Sequence, residues 1–194
     1  MDLKRFFTTS QVKNTYGYIN SQKKYELIRT IVYFGVSLSL FIAGYMATKS
    51  KMNLLTVVAV LGCLPASKSL VSMIMFFRYH SCSLDVKNTV SLQSEGLESL
   101  YDLVFTTEKA TYVAAHAAYK SKCLILYAEK SLDTAGLEAH LQDYMKKANI
   151  SGVNVKVYTD LKKYTERLGQ LKALEREEGK QALEVLQLIK EITL

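Results

Sequence analysis

IVYFGVSLSLFIAGYMA (residues 31–47) and LLTVVAVLGCLPASKSLVSMIMFF (residues 54–77) decide how this chain is read. The first run has seventeen residues and no charge; the second has twenty-four and one charge, Lys68; six mostly polar residues, TKSKMN, separate them. A helix needs about twenty apolar residues to cross a hydrocarbon layer of about 30 Å, and a helix satisfies its own backbone there. The two runs therefore predict a transmembrane helical hairpin over 31–77.

Charge divides the chain at the same place. The sequence has 194 residues, a net charge of +7 and 49% apolar residues. Residues 1–84 carry ten Lys/Arg against two acids, Asp2 and Glu26, whereas residues 85–194 carry fifteen against sixteen. The basic excess thus sits beside the spans, where it orients a membrane protein, and the rest of the chain is near neutral. That removes the main support for a nucleic-acid partner. Six basic residues precede the first run and Arg78 and Lys87 follow the second, against Lys49 and Lys51 between them, which predicts a multi-pass protein of the cell membrane with both termini cytoplasmic. The first run starts only at Ile31 and a second follows at once, so a cleaved signal peptide is the weaker reading.

The predicted organisation is a basic and aromatic juxtamembrane segment over 1–30 lying against the inner leaflet, the hairpin over 31–77, a linker over 78–90 and a cytosolic α/β domain over 91–194. In the first span Gly35, Ser39, Ala43 and Ala47 lie four apart, a stripe of small residues suited to helix packing, with Ala59, Gly62, Cys63 and Ala66 as its counterpart in the second. Three readings of Lys68 compete. It snorkels from a span ending near Ser67, with the residues beyond forming an interfacial segment, or it is buried against hairpin serines, or it serves transport in an oligomer.

Beyond the membrane the fold class expected is α+β, in the order α-β-β-β-α-β-α-α. A short helix from Val86 takes in Val90, Leu97 and Leu100 despite Gly96. Strands follow at 101–107, 110–119 and 123–128, the last continuously apolar and suited to the sheet centre. The middle one, ATYVAAHAAY, is ambiguous because its alanines favour helix, which would give βαβαβα; its alternation, with Tyr112 and His116 on one side and Val113 and Tyr119 on the other, favours a strand paired with the next through Lys120-Ser121-Lys122. Leu137, Leu141, Tyr144, Met145 and Ala148 predict a helix, VNVKVY a strand, and Asp160 the cap of a helix carrying Leu161, Tyr164, Leu168 and Leu171. A last amphipathic helix bears Leu183, Val185, Leu186, Leu188, Ile189 and Ile192. It is apolar over so much of its circumference that a second copy of the chain is expected to cover it, giving a homodimer.

No catalytic, cofactor-binding or metal-ligating residue is named, and no cofactor is expected. Cys63, Cys82 and Cys123 have neither disulfide nor zinc spacing; His80 and Cys82 lack partners for a metal; His116 and His140 have no recognisable nucleophile or metal partner. No glycine-rich phosphate loop, GxSxG, HExxH or DxDxDG run occurs.

The predicted order over Val86 to Tyr158 resembles the αβββαβ core of the restriction-endonuclease-like, PD-(D/E)xK superfamily. That resemblance implies a carboxylate on the second core strand and Glu-x-Lys on the third, holding a divalent metal. Residues 110–119 contain no carboxylate, and Glu129 and Lys130 are adjacent and so point to opposite faces of a strand. Val155 to Tyr164, VKVYTDLKKY, also resembles a segment of uncharacterised bacterial two-span membrane proteins. The leading expectation is a membrane-anchored, non-enzymatic cytosolic binding or scaffold domain, with the lipid bilayer, an unidentified protein and a second copy as partners. The alternatives are a membrane-tethered nuclease-like or nucleic-acid-processing protein and a small oligomeric transporter component.

Overall fold

The computed structural model describes residues 13–107, 110–129, 133–174 and 180–194. They form two units, one of residues Ile19–His80 and one in which residues 13–18 join Ser81–Leu194. Among the described residues, six helices and a four-stranded mixed sheet give an α+β fold.

The first unit is a pair of long apolar helices, α1 (Tyr18–Thr48) and α2 (Leu54–Phe77), each long and apolar enough to cross a membrane. Asn53 caps α2 by accepting from the Thr56 N–H at 2.8 Å, and its amide donates to the Thr48 hydroxyl at 3.0 Å, which fixes the connector between the helices. The helix pair has a readable register. A Cβ on Gly44 would meet Asn53 and Leu55, a Cβ on Gly62 would meet the Ser37 hydroxyl, and the Thr30 and Ser69 hydroxyls are 3.0 Å apart. Residues 31–47 are thus level with residues 52–68, and residues 19–30 with residues 69–80.

The seam bears out the small residues expected on α2, Cys63 excepted, and corrects those expected on α1. Gly35, Ser39, Ala43 and Ala47 all face outward, and so does Cys63; beyond Tyr18 and Ile19 at its start, the buried positions of α1 are Glu26, Thr30, Ser37 and Gly44, and those of α2 are Ala59, Ala66, Ser69 and Phe76. With half-buried Tyr33 and Leu40 included, the α1 positions step by four and three alternately, the spacing that keeps one side of a helix facing a left-handed neighbour, whereas a strict four-residue repeat drifts off that side. Pro65 and Lys68 do not break α2, which runs unbroken to Phe77. Lys68 is exposed, so the reading of a lysine buried against serines fails: Ser67 instead bonds the Cys63 carbonyl and Ser69 bonds Glu26. The helix also begins thirteen residues before Ile31, so residues 18–30 are helical and continuous with the first span.

In the second unit, α3 (Leu84–Gln93) leads into strands β1 (Glu98–Thr106), β2 (Thr111–Lys120) and β3 (Cys123–Tyr127), followed by α4 (Thr134–Lys147), β4 (Asn154–Tyr158), α5 (Leu161–Ala173) and α6 (Lys180–Ile192). The helix expected to take in Leu97 and Leu100 ends earlier, because Gly96 turns the chain at φ 83° and Leu100 joins β1. Residues 111–120 are a strand, and Ser121 and Lys122, both at positive φ, make the two-residue turn into β3. The sheet order is β1-β2-β3-β4, antiparallel except for the parallel pair β3 and β4. Apolar β3 lies inside the sheet, as its composition predicts.

Each face of the sheet carries two helices. Leu137, Leu141 and Met145 of α4 and Val185, Leu186 and Ile189 of α6 pack with Leu103, Phe105, Leu124 and Leu126. Val86 and Val90 of α3 and Tyr164, Leu168 and Leu171 of α5 pack with Ala118 and Ile125 on the other face. The last helix therefore finds its cover within its own chain. Strands of nine and ten residues leave room for α4 and α6 side by side, so one small sheet covers the face for which a second copy was expected, and of Leu183, Val185, Leu186, Leu188, Ile189 and Ile192 only Leu183 is exposed, at 70%.

Candidate functional site

On the α3/α5 face the pairing brings one residue from each strand into a row: Tyr101 opposite His116, His116 opposite Tyr127, and Tyr127 opposite Tyr158. Tyr164 of α5 lies over this row. Its hydroxyl shares a 2.6 Å hydrogen bond with His116 Nδ1, and its ring is 5.4 Å from Tyr127 and 6.0 Å from Tyr158, centroid to centroid. Tyr16, from the segment before α1, meets Tyr101 edge-on at 6.2 Å, while the Lys87 ammonium lies 4.2 Å from the Tyr16 ring centre. Such aromatic contacts stabilise beyond the area they bury.

His116 is fully buried, and its Nε2 has no hydrogen-bond partner among the described residues. Burial disfavours the imidazolium and lowers its pKa to about 3. Burial likewise holds the Tyr164 hydroxyl well above the usual range, followed by the neighbouring Tyr101 and Cys82. The pair is therefore neutral across the physiological range and acts as a packed, hydrogen-bonded cross-tie between β2 and α5.

The sequence expectation put Tyr112 and His116 on one side of their strand. They lie on opposite sides: Tyr112 joins the α4/α6 core and His116 faces Tyr164 of α5. The cause is a kink at Asp102, whose φ of 53° is left-handed, opposite Ala115. Pairing keeps the same register before and after this point, yet the alternation slips by one, so that Leu100 and Leu103 share a face, as do Ala114 and Ala117.

The kink places a carboxylate where the chain comes back from residues 19–80. Asp102 Oδ1 accepts from the Cys82 N–H at 2.7 Å, and Oδ2 accepts from the Ser81 hydroxyl. Glu129, just past β3, accepts from the Ser83 N–H at 2.8 Å, and Ser83 in turn caps α3. Cys82 sits beneath these groups, its thiol pushed up to about 12 by burial and then by Glu129 and Asp102, with Lys87 opposing. Burial first, then Glu129, Cys82 and Asp160, also raises Tyr127. The segment leading toward α1 is held beside them. Asn14 O accepts from the Tyr101 N–H at 2.9 Å, the Asn14 amide donates to the Thr193 hydroxyl at 3.1 Å, and Lys13 donates to the Thr193 carbonyl.

The other residues weighed from sequence fall apart from one another. His140 is half-buried edge-on to Tyr144 on α4, with burial lowering its pKa. His80 is exposed and Cys82 buried. Lys130 lies outside the described residues, and β2 carries no carboxylate. No cluster of three metal-ligating side chains occurs among the described residues. Sequence reasoning missed Asn14, Tyr101 and Asp102, and placed Tyr164 on the apolar face of its helix without its bond to His116, because these roles come through partners far away in the chain. No family model, curated protein or solved structure matches this chain.

Proposed function

We propose that this is a two-span protein of the cell membrane, both termini cytoplasmic, whose α/β unit is a non-enzymatic binding or scaffold domain for a protein partner. The observation that carries the membrane reading is the outer surface of the helix pair: Ile31, Leu38, Met46, Val60 and Leu64 are among the apolar side chains left exposed. A surface of that kind drives association in water, and lipid tails remove the penalty. The orientation rests on charge: Lys23, Lys24, Arg29, Lys68 and Arg78 at one end of the pair outnumber Lys49 and Lys51 at the other. Engagement of the Asp102 and Glu129 carboxylates in holding backbone favours binding over chemistry.

Labelling of Ser50→Cys and Lys163→Cys variants with an impermeant maleimide tests this in intact cells. Ser50→Cys should react from outside, and Lys163→Cys only after permeabilisation. The reverse pattern, or release of the protein by alkaline carbonate, would overturn it. A second reading, a membrane-tethered nuclease-like protein, draws on the order α3-β1-β2-β3-α4-β4. Magnesium-dependent cleavage of DNA by the purified protein, lost in Glu129→Gln, would replace the first reading with that one.

A further inference from the structure

We propose that the end of the helix pair formed by residues 19–30 and 68–80 is a binding surface for anionic phospholipid headgroups. This rests on the membrane reading above and adds a ligand class to it.

The register of the pair sets the height of every side chain. Glu26 accepts from Ser69 at 3.1 Å, so the most polar stretch of α1, with Gln22, Lys23, Lys24, Glu26 and Arg29, is level with Ser69 and the residues after it. If the hydrocarbon layer reached to Phe77, it would have to take in that whole stretch, at a cost no helix pair of this size recovers. If this end stood free in water, Val71, Ile74 and Phe77 would remain 65%, 53% and 51% exposed. The headgroup layer and its acyl boundary accept both kinds of side chain at once. Tyr25, Tyr33 and Tyr79, all half-buried, fall at or beside the same level, where aromatic rings favour the interface.

Charge selects the kind of lipid. The one acid of this end, Glu26, is buried and already within 3.5 Å of Arg29 as well as bonded to Ser69. Lys23, Lys24 and Lys68 make no hydrogen bond or ion pair among the described residues, and Lys24 and Lys68 are exposed. An ammonium on a flexible stem can reach a phosphodiester from a lipid-facing position without a fixed geometry, which Lys68 requires because it sits on the outward side of α2. A net anionic headgroup meets that surplus, and a zwitterionic one does not.

The full chain reconstituted in bilayers containing nitroxide-labelled phosphatidylglycerol or phosphatidylcholine gives the test, the readout being the motionally restricted fraction of each lipid. Phosphatidylglycerol should be preferred about fivefold or more at low salt, the gain expected from one or more lysine contacts at the surface. The preference should fall toward unity in Lys23→Gln/Lys24→Gln/Lys68→Gln and at high salt, and persist in Lys49→Gln/Lys51→Gln. Equal retention of both lipids by the wild type, or loss of preference only in the connector variant, would overturn the headgroup site while leaving the membrane reading intact. Absence of any restricted lipid would overturn the membrane reading itself.

Discussion

The Asp102 carboxylate accepts a 2.7 Å hydrogen bond from the backbone N–H of Cys82, and its neighbour Tyr101 donates its own N–H to Asn14. Two consecutive residues of β1 therefore hold the two segments that flank residues 19–80. The left-handed φ of Asp102 makes this arrangement, since a regular strand would have left the alternation of β1 undisturbed.

Asp102→Ala should lower stability by about 1–3 kcal/mol, because the buried Cys82 N–H loses its acceptor, and alanine adds strain at positive φ. Asp102→Asn, which keeps an acceptor and tolerates that φ, should cost less. Thermal unfolding in detergent measures both. The Cys82 thiol, buried and with its pKa raised to about 12, provides a second readout: it should resist maleimide in the native protein and react faster in Asp102→Ala. Unchanged Cys82 labelling would mean that the carboxylate does not hold this segment.

His116 should make the α/β unit acid-sensitive. Its folded pKa of about 3 lies below the ordinary 6.5, so the unfolded chain binds the extra proton between those values, and stability rises with pH there. The contribution is complete above about pH 6.5 and is lost on acidification toward pH 3, at up to about 1.4 kcal/mol per pH unit. His116→Phe should remove this slope. A wild-type slope equal to that of the variant would refute it.

Gly44 and Gly35 should respond oppositely to the same change. A Cβ on Gly44 would lie 2.8 Å from the Leu55 Cβ, where a backbone shift is needed, and 2.7 Å from Asn53 Oδ1; at Gly35 nothing lies within 4 Å. Gly44→Ala should destabilise the helix pair by about 1–3 kcal/mol, as overpacking does. Gly35→Ala should be neutral or slightly stabilising. Steric-trapping measurements in bicelles would compare the two, and an equal effect would refute the seam.

Ile189→Ala should cost about 2–5 kcal/mol, since that side chain is fully buried between α6 and the sheet. Leu183→Glu should leave stability unchanged. If light scattering instead found that Ile189→Ala dissociates an oligomer without destabilising the chain, α6 would be serving a second copy after all.

The helix pair and the strands could be read from sequence because both signals are local: two long apolar runs, broken only by the charge of Lys68, and an apolar β3 bounded by Lys122 and Glu129. The seam could be read only on one side: Ala59, Gly62 and Ala66 of α2 lie on it as their small size suggests, whereas α1 meets them through Glu26, Thr30, Ser37 and Gly44, mostly polar positions that periodicity in hydrophobicity does not register. The row of Tyr101, His116, Tyr127 and Tyr158 depends on the register of three strand pairs. It depends also on the slip at Asp102, which no pattern of residue types around that position announces. Asp160 was legible as a helix cap because its partner, Lys162, is two residues away; Asp102 was not, because its partner is twenty residues away.

The bond between Asn14 and Thr193 joins residues 179 positions apart and closes over the exposed edge of β1, where Leu194 also donates to the Val104 carbonyl. A ribosome releases Asn14 long before Thr193, and residues 19–80 come between them. Until Thr193 emerges and returns, that edge of β1 keeps unpaired backbone groups that invite pairing with other chains. The nascent protein must therefore keep Asn14 waiting while residues 19–80 settle. A ribosome stalled before Thr193 would leave a chain with its helix pair made and its sheet edge still open, a state that quality-control proteases can recognise.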